Sequence, residues 1–124
     1  MKRALLVDDS RATRRILKLM LGNFGFETSE AENGIEGLAV LEQSEPFELA
    51  VVDWNMPQMD GLEFLKQVRA KSIYDKMLVL MVTAETEASQ VVQALEFGAN
   101  EYVMKPFTPD VIADKLGLLG FELT

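Results

Sequence analysis

Two residue types are missing altogether: the 124-residue chain has no cysteine and no histidine. Without cysteine there are no disulfides, thiolate metal sites or cysteine nucleophiles. Without histidine the commonest general base, the Ser-His-Asp triad and most zinc sites are excluded as well. Any metal must then be held by oxygen ligands, which favours magnesium, manganese or calcium. Long apolar runs are absent too, and none approaches the roughly 20 residues that span a bilayer. The amino terminus is basic and then apolar, but its apolar part, Ala4–Val7, meets Asp8-Asp9 at once. That is too short for a signal peptide and better suited to a first strand. Positive charge is in deficit: 12 Lys and Arg stand against 20 Asp and Glu, a net charge of −8. An acidic surface argues against nucleic acid and anionic membranes and leaves proteins or cations as partners.

What is present is ordinary for one globular domain spanning residues 1–124, with 48% hydrophobic and 26% charged residues. Short apolar runs alternate with segments of helical period. Ala4–Val7 predicts a first strand. Ser10 is a candidate N-cap, and Thr13, Ile16, Leu17, Met20 and Leu21 recur at helical spacing. Phe26–Ala31 has the partly polar character of an edge strand. Asn33-Gly34 opens a second helix containing Ile35, Leu38, Ala39 and Leu41. Leu49–Val52 predicts a third strand, and Leu62, Leu65, Val68 and Arg69 mark a third helix, with Arg69 on the flank of its apolar face. Met77–Val82 is the longest apolar run and predicts a central strand buried on both faces. Ala88, Val91, Val92 and Leu95 give a fourth helix, Glu101–Met104 a fifth strand, and Thr108-Pro109 the cap and first position of a fifth helix.

Strands alternating with helices of this length imply an α/β fold, a doubly wound five-stranded parallel sheet with helices on both faces. Right-handed crossovers leave few topologies. The order 2-1-3-4-5 puts the polar second strand at an edge, and the site of such a sheet forms outside the strand carboxyl ends, between strands one and three.

The residues just past each strand are unusual as a set. Strand one delivers Asp8 and Asp9, strand three Asp53, strand four Thr83 and strand five Lys105. Singly, each has an ordinary explanation: a helix-start aspartate, a turn aspartate, an N-cap, a solvated lysine. Together they fall at one end of one sheet. Three carboxylates within about 4–6 Å repel by about 2–4 kcal/mol per pair at an effective dielectric near 20. A proton or a divalent cation relieves that repulsion. A carboxylate nucleophile, a cation, a lysine and a hydroxyl are the parts needed to accept a phosphoryl group.

Four stretches then carry a resemblance: Leu6–Ser10, Asp53-Trp54-Asn55-Met56-Pro57 through Met59-Asp60-Gly61, Thr83-Ala84-Glu85, and Tyr102-Val103-Met104-Lys105-Pro106-Phe107. In order and at this spacing the chain resembles the receiver domain of two-component response regulators, and within that family the stand-alone chemotaxis regulators. The order 2-1-3-4-5 is the flavodoxin-like one, of which receivers of this kind are themselves a standing example. The resemblance implies that Asp53 is phosphorylated by a partner histidine kinase. It implies that Asp9, Asp53 and the backbone carbonyl of Asn55 bind magnesium, or manganese in its place, with Asp8 acting through a water. Thr83 would hydrogen-bond the phosphoryl group and Lys105 would pair with it, the Lys105–Pro106 peptide being cis. Tyr102 would be an aromatic switch acting with Thr83, and the output face would comprise the fourth helix, fifth strand and fifth helix. Asn55 and Glu85 would tune the lifetime of the phosphorylated state, as polar groups able to orient water do.

The expected protein is therefore a cytoplasmic phosphorylation switch, not an enzyme, that signals to a protein target such as a flagellar motor switch. It engages neither nucleic acid nor membrane. The end at Thr124, soon after the fifth helix, fits a diffusible regulator, and a receiver excised from a larger regulator would look the same. Two other readings use the same residues or fold. A magnesium-dependent aspartyl-phosphate phosphatase or phosphotransferase would carry its nucleophile after the first strand and a second aspartate two residues on, and Asp8-Asp9-Ser10-Arg11 lacks that spacing. A flavin protein would carry a phosphate-cradling Gly/Ser/Thr loop where Asp8-Asp9 stand.

Overall fold

Fully apolar strands next to short capped helices leave one economical packing, a central sheet with helices on each side. The computed structural model describes residues 2–84 and 88–123. The elements run β1 (Lys2–Val7), α1 (Arg11–Asn23), β2 (Phe26–Ala31), α2 (Gly34–Gln43), β3 (Leu49–Asp53), α3 (Gly61–Arg69), β4 (Leu78–Ala84), α4 (Ala88–Glu96), β5 (Glu101–Lys105) and α5 (Pro109–Leu118). All strand pairs are parallel, in the order β2-β1-β3-β4-β5. A short 3-10 turn at Ser72–Tyr74, which has no apolar period to announce it, precedes β4.

Side chains alternate across a strand, so one apolar run feeds two cores. Leu5, Val7, Ala50, Val52, Val79 and Met81 pack with Phe64, Leu65 and Val68 of α3 on one face. Ala4, Leu6, Leu49, Val51, Leu80 and Val82 pack with Leu17 and Leu21 of α1 and Ile112 and Leu116 of α5 on the other. Ser10, Asn33, Asp60 and Thr108 each accept a hydrogen bond from the backbone N–H three residues on, capping α1, α2, α3 and α5. Each cap contributes about 1 kcal/mol.

Helical period overstated the core. Ile16, Ile35, Val92 and Leu95 are 45–57% exposed, while Arg14 joins Leu17 and Leu21 on the buried stripe of α1. A repeat of 3.6 finds a face but not its width. Thr83 lies inside β4, not after it.

Arg69 ends α3 half-buried, and burial draws its pKa down. It donates to the carbonyls of Gly98 (3.0 Å), Tyr74 (3.0 Å) and Met77 (2.8 Å) and to Asn100 Oδ1 (2.9 Å). These acceptors lie just before β4 and β5, at the end of the sheet away from the acidic residues. Arg69→Met leaves the carbonyls without their charged donor and is expected to cost about 3 kcal/mol in urea unfolding. A loss below about 1 kcal/mol would show that water replaces the guanidinium.

Candidate functional site

The parallel sheet brings the carboxyl ends of β1, β3, β4 and β5 to one edge of the molecule. Asp53 is the last residue of β3 and 5% exposed. Asp8 follows β1 and is 1% exposed, and Asp9 after it is exposed. Carboxylate oxygens of Asp8, Asp9 and Asp53 lie within 4.8 Å of one another. Lys105 Nζ stands 3.4 Å from Asp53 Oδ2 and 3.9 Å from Asp8 Oδ2. Thr83 is fully buried two strands from Asp8, and its hydroxyl has no hydrogen-bond partner among the described residues. The Lys105–Pro106 peptide is cis.

Asp8 is anchored by its neighbours. Its backbone N–H donates to Ala31 O (3.1 Å), and its Oδ1 accepts from the Ser10 N–H (2.8 Å). Its Oδ2 accepts no hydrogen bond among the described residues. Burial raises the pKa of Asp8, against the pull of the Ser10 N–H and Lys105. Burial is also the largest cause at Asp53, followed by the charge of Asp8; Lys105 opposes both, and the pKa is raised from 3.8 to about 6. Two crowded buried acids and one partly exposed lysine leave the crevice short of positive charge. An orphaned buried oxygen and an all-oxygen donor set fit a hard divalent cation, and these residues can hold one.

The loop that follows Asp53 is packed tightly beneath it. Gly61 N–H donates to Trp54 O (2.8 Å), and a Cβ on Gly61 would lie 2.3 Å from Asp53 O. Gly61 thus belongs to the first turn of α3, where close approach of two backbones requires it, and is not the loop residue that its type suggests. Asn55 is exposed at the start of this loop. Tyr102 sits half-buried on the edge strand β5, with Lys115 Nζ 4.2 Å from its ring centroid. Glu85 lies outside the described residues.

One participant escaped sequence reasoning. Arg14 is 7% exposed and donates from Nη1 to Asp8 O (2.7 Å) and from Nε to Glu30 Oε1 (3.0 Å). The signal was an arginine three and seven residues before Leu17 and Leu21, inside an otherwise apolar stripe.

A 2-1-3-4-5 sheet that delivers three carboxylates and a lysine to its carboxyl edge defines a class of phosphoryl-accepting signalling domain. Residues 4–117 match the family described as Response regulator receiver domain, and the chain belongs to that family. It is 45% identical over 113 residues to the Chemotaxis protein CheY homolog of Campylobacter jejuni, covering 90% of this chain and 87% of that one. Chemotaxis protein CheY1 of Helicobacter pylori is 42% identical, covering 90% and 91%. Among solved structures, chemotaxis protein CheY4 of Vibrio cholerae superposes with a TM-score of 0.87 at 35% identity, covering 95% and 98%. Response regulator TrrA of Thermotoga maritima, solved in complex with Mg(2+)-BeF, gives 0.83 at 34% identity, covering 96% and 99%. The chain is thus a phosphorylation-activated signalling switch of a two-component system, working between phosphodonor kinases and protein targets. The phosphatase reading is not favoured.

Proposed function

We propose that Asp53 is the phosphoacceptor and that Mg2+, or Mn2+ in its place, occupies the site of Asp8, Asp9 and Asp53, with the Asn55 carbonyl completing it. The single observation that carries this is a buried carboxylate held within 4.8 Å of two others and 3.4 Å from Lys105 Nζ. An Asp53 oxygen attacks the phosphorus of a phosphohistidine on a histidine kinase. The P–N bond breaks, and its electron pair returns to the imidazole. The cation, when bound, neutralises charge on the transferred oxygens. Lys105 supplies fixed positive charge to the same oxygens, and the Thr83 hydroxyl, lacking another partner among the described residues, donates to one of them.

Thr83 and Tyr102 then carry the change to the α4-β5-α5 face, where Val92, Leu95 and Val111 are exposed. A modified state shifts that equilibrium only as far as it binds one packing better. Asn55 and Glu85 set the lifetime of the phosphoryl group. The names of the relatives support a part in chemotaxis, and the target proposed for this chain is a protein such as the flagellar motor switch. Among the described residues no helix is long and apolar enough to cross a membrane, in keeping with a cytoplasmic regulator. We read the chain as one receiver domain that promotes its own phosphorylation and dephosphorylation without being a metabolic enzyme.

Trp54, 7% exposed and adjacent to Asp53, reports on the site. Its fluorescence should saturate with Mg2+ and change again on adding acetyl phosphate, with one phosphoryl group gained in intact mass. Silence to both additions with unchanged mass refutes the proposal.

A further inference from the structure

Among the described residues, the buried polar or charged side chains are Asp8, Arg14, Asp53 and Thr83. Three line the acidic crevice, and the fourth grips the backbone of the first. We infer that Arg14 is a positioning residue for the cation site, setting through the Asp8 carbonyl where the Asp8 and Asp9 carboxylates stand. This rests on the reading of the crevice as a cation site.

The carbonyl that Arg14 holds at 2.7 Å belongs to the peptide unit joining Asp8 to Asp9. That unit is planar, so fixing its oxygen fixes the direction in which the chain leaves for Asp9. Asp9 is exposed and makes no hydrogen bond or ion pair of its own among the described residues. Its place in the cluster therefore depends on the backbone behind it. Asp8 is held at its N–H by Ala31 and at Oδ1 by Ser10, and its Oδ2 faces Lys105 at 3.9 Å, which leaves the carbonyl as the remaining backbone handle. Arg14 is in turn braced by Glu30 of the neighbouring strand β2 at 3.0 Å.

Local physics disfavours an arginine here. The first turn of α1 has no acidic residue, and a cation near a helix N-terminus opposes the macrodipole. The position faces the core beside Leu17 and Leu21, where an apolar side chain would pack without desolvating a charge. The two bonds account for what the helix does not. A clamp that only stitches α1 to the sheet would explain stability and nothing more, so the test separates the two roles.

The experiment titrates Mg2+ against Trp54 fluorescence in the whole chain, at a temperature where circular dichroism shows every variant folded. Arg14→Met is expected to weaken Mg2+ binding about tenfold or more, the usual cost of removing an outer-shell partner. Arg14→Lys should recover part of the loss and Glu30→Gln should reproduce part of it. Arg69→Met, destabilised at the far end of the sheet, should bind Mg2+ like the parent. An Arg14→Met dissociation constant within about twofold of the parent overturns the inference, whatever happens to the melting temperature. If Arg14→Met does not fold, unchanged affinity in both Arg14→Lys and Glu30→Gln overturns it. A parent chain that fails to bind Mg2+ at all would instead sink the cation-site reading, and this inference with it.

Discussion

Asp53→Asn is expected to abolish phosphoryl incorporation from acetyl phosphate and, in the same molecule, to raise stability in metal-free buffer at neutral pH. The first effect follows from removing the acceptor oxygen. The second follows from electrostatics. Burial, then Asp8, raise the Asp53 pKa from 3.8 to about 6 against the pull of Lys105. A folded-state pKa above the unfolded value means that the favourable contribution is fully present below about 3.8 and is lost as pH rises through about 6. At pH values above that window the folded parent carries a buried, ionised carboxylate, at a cost of up to about 3 kcal/mol by linkage. Asparagine is nearly the same shape and carries no charge. The variant should therefore exceed the parent by about 1–3 kcal/mol in urea unfolding with EDTA at neutral pH, the gap closing towards pH 4. Mg2+ should stabilise the parent by mass action and do little for the variant. Equal stabilities in EDTA across the whole range would mean that Asp53 is not desolvated as its burial implies.

The second large effect is expected at Gly61. Its missing side chain would place a Cβ 2.3 Å from Asp53 O, 2.9 Å from Trp54 Cα and 3.0 Å from Asp53 C. These are backbone atoms of the β3 exit and cannot rotate aside. Helix propensity favours alanine over glycine by about 1 kcal/mol, less in a first turn. Overpacking against a fixed backbone costs about 1–3 kcal/mol or more and also moves Asp53. The clash should win. Gly61→Ala is predicted to lose about 2–3 kcal/mol of stability and to weaken Mg2+ binding together. Gly117→Ala is the matched control, since a Cβ there meets nothing within 4 Å. It should gain up to about 1 kcal/mol and leave the site unchanged. A Gly61→Ala chain as stable as the parent, binding Mg2+ equally well, would show that α3 can back away from Asp53.

Element order and the contents of the site were legible in the chain because both are written in short-range pattern. Ala4–Val7, Leu49–Val52 and Met77–Val82 are apolar runs too short for helices and bounded by polar breaks, and each became a strand. Ser10, Asn33 and Thr108 announced helix starts through a side-chain oxygen that reaches a backbone N–H only three residues away. The handedness of crossovers left few topologies, and the polar second strand favoured 2-1-3-4-5. Parallel strands carry Asp8, Asp9, Asp53 and Lys105 to one edge, and that order makes β1 and β3 neighbours there.

What the chain could not disclose depends on atoms far apart in sequence. Arg14 looks like a solvated cation until α1 is laid against β1 and β2, where a carbonyl six residues back and a carboxylate sixteen residues on become its partners. Gly61 looks like a turn residue until α3 packs onto the end of β3. Ile16 and Ile35 look like core until the width of each helix's buried stripe is known. The elevated pKa of Asp53 arises because packing removes water from it and, secondly, sets the charge of Asp8 beside it. Periodicity and caps are properties of neighbouring residues and survive in one dimension. Close approach, burial and field are properties of distance in space, and only the assembled sheet and its helices decide them.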